Sequence, residues 1–522
     1  MRLKRLWIEE YKNLRNFDIS FTPEESPYTV LVGHNGTGKS NLFEVLASIF
    51  VALEWKRHTP FRYRLEYLCR GYLVEVECNP QKKRSRTTIY VSRQDETFSK
   101  TKIGLNQFEK FEIENGTRLL PSHIFGYYSG SCLRFEQPFS EYKKWFSKEV
   151  KKLEAGEILP RRMLFADLDQ TDILVVALWG LELEDPDSSS VLRSLEIAGI
   201  ENLRLTVRPP STYNEQKDLP ATMGLTGLLL DLISGFNNFS DGDPIPSGPQ
   251  AYAAKTYKLS TRAILELSKM ARNRETNLFS LLFEAREQRI LSGVSFDVVL
   301  SGKQTIRHGA LSEGQKQLLL VLGMIKFSQH EEAIFLLDEP DTHLNPFWQY
   351  SYLELIREWT KGATDVSDCH VLLTTHNPLT ISALEQNEVR IMCKNELGDV
   401  VAYPPYNGPQ GLGFTGTLIE VFGLATSLDS KTQKIVDERN NLARIEKRNS
   451  EEGIRLSELN RQLKKFGFMF EDREPEYQEF LRARQAIHYS NEVPFSPLEI
   501  GERQKSTEAL LRAVFKKTGG KS

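Results

Sequence analysis

The chain has 522 residues, room for about three domains of ordinary size. Lysine and arginine total 67 against 70 aspartate and glutamate, a net charge of −3, which excludes a globally basic coat protein but leaves room for a local basic face. With 40% hydrophobic, 26% charged and 10% aromatic residues, the composition excludes intrinsic disorder, a collagen-like repeat and a membrane bundle.

Leu3 to Ile8 and Phe17 to Phe21 predict a hairpin around a charged turn. Tyr28-Thr-Val-Leu-Val32 predicts a buried strand ending at Gly33, with a helix from about Lys39 to Leu53. Alternating runs at Tyr72 to Cys78 and Thr87 to Ser92 predict antiparallel strands. The basic run Lys82-Lys83-Arg84-Ser85-Arg86 sits at their turn, more often a solvated tip than a binding site.

From about 140 to 300 the character changes. Lys143, Lys144, Lys148, Lys151 and Lys152 crowd one stretch. An apolar helix (Ile173 to Leu183), a Ser/Asp loop near Asp185 to Ser190, a loop from Asn237 to Pro249, a long helical run from Ala253 to Glu287 and a strand at Val294 to Leu300 follow. This segment is expected to be a mostly helical insertion. Strands and helices alternate again from Gln304 to Ile391. Ser430 to Phe466 is charged, with Ile435, Leu442, Ile445, Leu456, Leu459 and Leu463 at near-helical spacing and Gly453 between two such runs, which predicts a helical hairpin.

Gly33-His34-Asn35-Gly36-Thr37-Gly38-Lys39-Ser40 fits G-x-x-x-x-G-K-[ST]. Its glycines let backbone N–H groups turn inward around phosphate oxygens, and the following helix N-terminus adds positive potential. Lys39 would reach the β- and γ-phosphates, and the Ser40 hydroxyl would ligate Mg²⁺. Strand before and helix after make a chance glycine-rich turn a poor alternative. Ala333-Ile-Phe-Leu-Leu337 is an apolar strand ending in Asp338-Glu339. There Asp338 is placed to hold Mg²⁺, directly or through water, and Glu339 to polarise an attacking water. A solvated acidic turn is the plainer alternative, but a buried parallel-type strand aims the pair at the ligand edge of its sheet.

Leu311-Ser312-Glu313-Gly314-Gln315 precedes a helix from Lys316 to Phe327 and places Ser312 26 positions ahead of Asp338. By itself Ser312 with Gln315 is a capping box. At this distance from an Asp-Glu pair, the run resembles the signature motif of ATP-binding-cassette (ABC) ATPases. The resemblance implies that Ser312, Gly314 and Gln315 bind the γ-phosphate of a nucleotide held by another subunit, so that two chains sandwich ATP head to tail. His376, after the strand Val371-Leu-Leu-Thr-Thr375, resembles the family's switch histidine, although a lone histidine is usually structural. Asp341-Thr-His343-Leu-Asn-Pro346 stands where the family places its dimer-contacting D-loop. Gln137 is a candidate for the Q-loop glutamine, with a structural role equally open.

The resemblance covers about 1 to 150 and 300 to 425, and the 271 positions from Ser40 to Leu311 far exceed those of transporter cassettes. Asn13 to Phe17 and Gly33 to Leu42 resemble the RecF-type and chromosome-maintenance branch, without a heptad arm. Within that branch the whole chain is similar to overcoming-lysogenization-like and Septu-type defence ATPases, including those associated with retrons.

The resemblance implies an α/β fold, an ABC-ATPase head of the P-loop NTPase type with a mostly helical insertion and a C-terminal helical region. The expected parts are an ATPase lobe over 1–150, the insertion over 151–300, a second ATPase part over 301–428, and a C-terminal region over 429–522 that either packs on the body or docks a partner. ATP and Mg²⁺ are the expected cofactors. Glu339 and His376 are the expected catalytic residues, with Asn35, Gly36, Thr37, Gly38, Lys39, Ser40, Ser312, Gly314 and Gln315 on the nucleotide, and Ser40 and Asp338 on the metal. The implied partners are a second copy of the chain, a separate HNH nuclease, and a reverse transcriptase with its non-coding RNA/DNA. No Glu and Asp-x-Asp strand pair for a fused Toprim nuclease is found after His376. Glu471-Asp472-Arg473-Glu474 fits a loop and His488 is solitary, so cutting is expected from the partner. The alternative is a RecF-like DNA-binding repair ATPase with Lys143 to Lys152 on phosphates.

The five cysteines, Cys69, Cys78, Cys132, Cys369 and Cys393, form no C-x-x-C pair, which argues against a disulfide framework or zinc ribbon and for a reducing compartment. The N-terminus meets Glu9 and Glu10 before any long apolar run, unlike a secretory signal. Ile173 to Leu181 and Leu318 to Ile325 are the longest apolar runs, far short of the roughly 18 residues a bilayer span needs. A cytoplasmic protein without membrane contact is expected.

Overall fold

In the computed structural model the described residues are 1–21, 26–94, 100–130, 133–150, 161–186, 190–208, 226–247, 254–274, 276–328, 332–360, 369–424, 426, 428–445 and 449–466. The first part holds β1 (Arg2–Tyr11), β2 (Leu14–Ser20), β3 (Tyr28–Val32), α1 (Lys39–Glu54), β4 (Tyr63–Cys69), β5 (Tyr72–Cys78), β6 (Thr87–Arg93), β7 (Thr101–Gly104), α2 (Phe108–Asn115), β8 (His123–Tyr128) and α3 (Leu133–Val150). Next come β9 (Met163–Ala166), α4 (Thr171–Glu184), α5 (Val191–Ser194), β10 (Ile197–Val207), α6 (Thr226–Phe239), β11 (Ile245–Ser247), β12 (Ala254–Leu259), α7 (Thr261–Asn273), α8 (Leu278–Glu287), β13 (Leu291–Leu300) and β14 (Thr305–Arg307). The last part holds α9 (Glu313–Phe327), β15 (Ala333–Asp338), α10 (Pro346–Thr360), β16 (Cys369–Thr374), β17 (Val389–Lys394), β18 (Val400–Tyr403), α11 (Gly413–Glu420), α12 (Ser430–Ala443) and α13 (Ser450–Lys465).

The central sheet has seven strands in the order β18-β17-β3-β16-β15-β8-β9, parallel except for the β17–β18 hairpin. Strands covered on both faces read as continuous apolar runs, and β3, β15 and β16 are buried at every residue. Phe125 on β8 stacks on Phe335 of β15 at 4.8 Å, which fixes that pairing by side chain as well as by backbone. The strand order brings the C-terminal ends of β3, β16, β15 and β8 side by side, the edge where a parallel sheet binds its ligands.

A second sheet is antiparallel, β2-β1-β4-β5-β6-β7. Its first hairpin matches the expected pair, with Lys12 in the left-handed region at φ 53 to close the two-residue turn. The Lys82 to Arg86 run is exposed between β5 and β6.

The insertion is less helical than expected. Besides α4 to α8 it holds most of a third, five-stranded sheet, β11-β12-β10-β13-β14. The helical run expected over Ala253 to Glu287 is instead β12 and two helices. Tyr257 and Leu259 alternate inward as in a strand, and Ser260 caps α7 with its side chain on the Ala263 N–H. A second cap, Asn277, accepts from Ser280 and starts α8. In the basic stretch on α3, Lys143 pairs with Glu287 at 2.6 Å, while Lys151 and Lys152 lie outside the described residues.

The tail forms the expected hairpin, α12 against α13, joined by Arg455 to Glu438 at 2.6 Å. Gly453 is not its break. Asn449 caps α13 in a capping box with Glu452, so Gly453 falls inside the first turn and the reversal lies before it. Residues 467–522 of the C-terminal region, with the Glu471 to Glu474 run and His488, lie outside the described residues. Among the described residues Cys69, Cys78, Cys369 and Cys393 are free thiols, and no helix is long and apolar enough to cross a membrane.

Candidate active site

The phosphate loop leaves β3 and enters α1 through Gly38, whose φ of 91 belongs to the left-handed region. A side chain there would also meet Asn13 at 2.8 Å, so only glycine fits. The loop is self-bonded. Lys39 Nζ donates to the carbonyls of Gly33 at 2.8 Å and His34 at 3.3 Å, and Thr37 Oγ1 donates to His34 at 2.9 Å. The first hairpin braces it from outside. Asn13 Nδ2 donates to the Gly36 carbonyl at 3.0 Å and its Oδ1 accepts from Asn41 Nδ2 at 2.7 Å, while Tyr11 and Lys12 both bond Glu44 on α1. Asn35 and Gly36 are exposed at the tip.

Asp338 ends β15 beside this loop and is buried at 2% exposure. Burial pushes its carboxyl pKa up, against the pull of hydrogen bonding from Ser40 and Thr374. Its Oδ2 is buried with no hydrogen-bond partner, a costly state that a cation beside Ser40 would relieve. Ser40 and Asp338 are hard oxygen donors, and among the described residues no group of three or more acidic, histidine or cysteine side chains could hold a metal. A site this sparse fits Mg²⁺, which keeps water and takes its other oxygens from phosphates, and Mg²⁺ bound there would supply charge neutralisation at the phosphoryl group.

Burial brings the Lys39 amine down to about 8, against the upward pull of Asp338 and then Glu339. Phosphate needs the charged form, so ATP affinity is expected to fall as pH rises through about 8, and binding at about pH 9 to take up a proton. Titration calorimetry in buffers of different ionisation enthalpy reads that uptake. Its absence would mean that the free amine is charged throughout.

Glu339 follows with φ 52, a strained conformation for a side-chain residue, costing on the order of 1 kcal/mol or more. Its N–H donates to Thr374 Oγ1 at 3.0 Å and to the Thr374 carbonyl at 3.2 Å, which hold the turn in place. The carboxylate faces His376 Nε2 at 3.3 Å, both about one-third exposed. The hydrogen bond from His376 keeps the Glu339 pKa below its ordinary value. Such a carboxylate is ionised at neutral pH and weakly basic, suited to orienting a water more than to taking its proton early.

The signature residues start α9. Ser312 Oγ accepts from the Gln315 N–H at 3.2 Å and Gln315 Oε1 accepts from the Ser312 N–H at 3.0 Å, the predicted capping box. Gly314 passes so close to the following loop that a Cβ would lie 2.8 Å from the His343 carbonyl. Asp341 in that loop is buried and accepts from Thr375 Oγ1 at 2.6 Å and from Thr380, which ties it to the strand end carrying His376.

Thus Lys39, Ser40, Asp338, Glu339 and His376 come together, with Gly36, Thr37 and Gly38 shaping the loop around them. Ser312, Gly314 and Gln315 form their own cap, with no hydrogen bond to that group among the described residues. Gln137 lies on the exposed side of α3, bonded to Glu141 at 3.2 Å. The residue beside Asp338 is instead Ser129, whose N–H donates to the Asp338 carbonyl at 3.2 Å and whose hydroxyl meets Thr342 at 3.2 Å. Asn13 and Thr374 also hold the site, beyond the expected set of residues. Their partners are 23 and 36 residues away, and only the folded chain joins them.

Two family models match the chain: "AAA ATPase domain" over residues 1–154 and "AAA domain, putative AbiEii toxin, Type IV TA system" over 193–382. The Septu protein PtuA of Bacillus mycoides is 23% identical over 81% of this chain and 44% of its own length. The DNA replication and repair protein RecF of Actinobacillus pleuropneumoniae is 25% identical over 24% of this chain and 32% of its own. The chain spans less than half the length of these curated relatives. Among solved structures, the SMC head domain from Thermotoga maritima aligns with 77% of this chain and 99% of its own, at 13% identity and a TM-score of 0.33. With the residues at its strand-end edge drawn from segments that both AAA models cover, the chain is similar to ABC-type AAA ATPases and, over most of its length, to the Septu protein PtuA.

Proposed function

We propose that this chain is the ATP-binding and hydrolysing subunit of an antiphage defence complex, which dimerises head to tail around ATP and controls a separate HNH-type nuclease. The observation that carries the reading is the split site. Lys39, Ser40, Asp338, Glu339 and His376 share one sheet edge, while Ser312 to Gln315 stand apart from them at the N-terminus of α9, the kind of helix end that suits a second molecule's phosphate. Similarity to PtuA over most of this chain supports the defence context. A retron-associated reverse transcriptase with its RNA/DNA is a further proposed partner, resting on resemblance alone. The C-terminal hairpin, with Ile454 and Phe466 exposed, is the proposed dock for the nuclease.

Ser312→Arg tests the dimer. A bulky cation at the cap is expected to abolish ATP-dependent dimerisation while one chain still binds ATP. Light scattering with and without ATP, beside a nucleotide-binding assay, reads both. Parent-like dimerisation would return Leu311 to Gln315 to a plain helix start and remove the head-to-tail reading.

A further inference from the structure

The third sheet has two unlike faces. Leu203, Leu205, Val207, Tyr257, Leu259, Phe296 and Val298 point inward and are buried, and helices α4 to α8 pack against these strands. The alternate residues are polar and open. Arg204 and Arg208 are exposed on and just after β10, Lys258 on β12, Ser295 on β13 and Arg307 on β14. Between them the side chains are short, and Thr206 meets Thr256 hydroxyl to hydroxyl at 3.0 Å.

Among the described residues none of the four cations, Arg204, Arg208, Lys258 and Arg307, makes an ion pair or a side-chain hydrogen bond. This differs from α3, where Lys143 is taken by Glu287. Two acids share the open face: Glu201, and Asp297, which accepts from Asn202 at 2.8 Å. Lys258 pairs across the sheet with Arg204, Arg204 with Ser295, and Arg307 with Asp297 two residues further along β13. The row from Lys258 to Arg307 therefore crosses three strand spacings, roughly 14 Å. Its β14 side opens into a groove of about 580 Å³, lined by Asn202, Arg204, Phe296, Arg307 and His308 among others, with His308 stacked on Phe296 at 4.7 Å. From His308 the chain runs directly into Leu311 and Ser312.

We infer that this open face binds the sugar–phosphate backbone of a nucleic acid strand, with Arg204, Lys258 and Arg307 on consecutive phosphates and Arg208 extending the track. Unpaired cations in a row across a shallow surface suit a polyanion with regularly spaced charge, and the short Thr and Ser side chains let its backbone lie close. Arginine forks match phosphate geometry, and the absence of competing ion pairs means that no internal contact must break first. The track differs from the Lys143 to Lys152 stretch, and it stands independently of nuclease control.

The test is fluorescence anisotropy of the full chain without ATP, using a labelled mixed-sequence oligonucleotide as single strand and as duplex across a salt series. The parent is expected to bind at least one form with a salt-dependent affinity. Arg204→Glu combined with Arg307→Glu is expected to weaken it about tenfold or more and to lower the salt slope by about two. Lys83→Glu combined with Arg84→Glu, at the β5–β6 tip, is expected to bind as the parent does. If the glutamate pair lowers the melting temperature, Arg204→Gln with Arg307→Gln gives the same reading with less repulsion. No salt-dependent binding by the parent, unchanged binding by both arginine pairs, equal weakening by the tip variant, or equally tight binding of polyglutamate would each overturn the assignment.

Discussion

Glu339→Gln is expected to cut ATP turnover about 100-fold or more while nucleotide binding stays near the parent's. The amide keeps the shape of the side chain and the same strained backbone position at φ 52, so the turn held by Thr374 persists. What is lost is the charge opposite His376, 3.3 Å away, and the acceptor that orients a water. His376 keeps this carboxylate's pKa below the ordinary value, so the parent's group is ionised across neutral pH and the full effect of the substitution is expected there. Single-turnover phosphate release, read beside equilibrium binding of a labelled nucleotide, separates the two steps. A variant that turns over like the parent would take Glu339 out of the chemistry.

Lys39→Ala is expected to weaken ATP binding itself, by about 10- to 100-fold, the size of a lost charge-assisted hydrogen bond. The amine is 7% exposed and bonded to two loop carbonyls, so truncation also leaves Gly33 and His34 with one donor fewer and a small void beneath the loop. Lys39→Arg is not expected to rescue it, because a planar fork cannot place a point charge in the same space. Binding is read by equilibrium dialysis and folding by thermal melt. Parent-like affinity in a folded variant would mean that the loop backbone alone holds the phosphates.

Much of the site was legible because its chemistry is local in sequence. Gly33 to Ser40 and Ala333 to Glu339 each carry strand, turn and functional side chain in one short run, and the strands end within a residue of where the apolar pattern stops. Of the third sheet only β13 was legible, as the strand expected over Val294 to Leu300. β10 contains Gly199 and the left-handed Asn202, which break its alternation, and β12 is only six residues beside an amphipathic helix, so its period was absorbed into the helix. The bracing of the phosphate loop by Asn13, the grip of Thr374 on Asp338 and the position of Ser129 come from strand order, which no periodicity encodes. Gln137 illustrates the same limit, since its residue type matched while α3 carries it to an exposed face.

The self-bonded phosphate loop sets the thermodynamics of loading. Lys39 and Thr37 already hold the Gly33 and His34 carbonyls, and Asn13 already clamps Gly36. An arriving nucleotide therefore exchanges one set of acceptors for another and does not have to order a loose segment, whose backbone alone would cost about 1–2 kcal/mol per residue. The ordering cost was met when the β1–β2 hairpin docked on α1, through Tyr11 and Lys12 on Glu44. Loading should accordingly show a small heat-capacity change, without the large negative value of coupled folding, and the hairpin becomes a remote determinant of how readily the loop accepts its ligand.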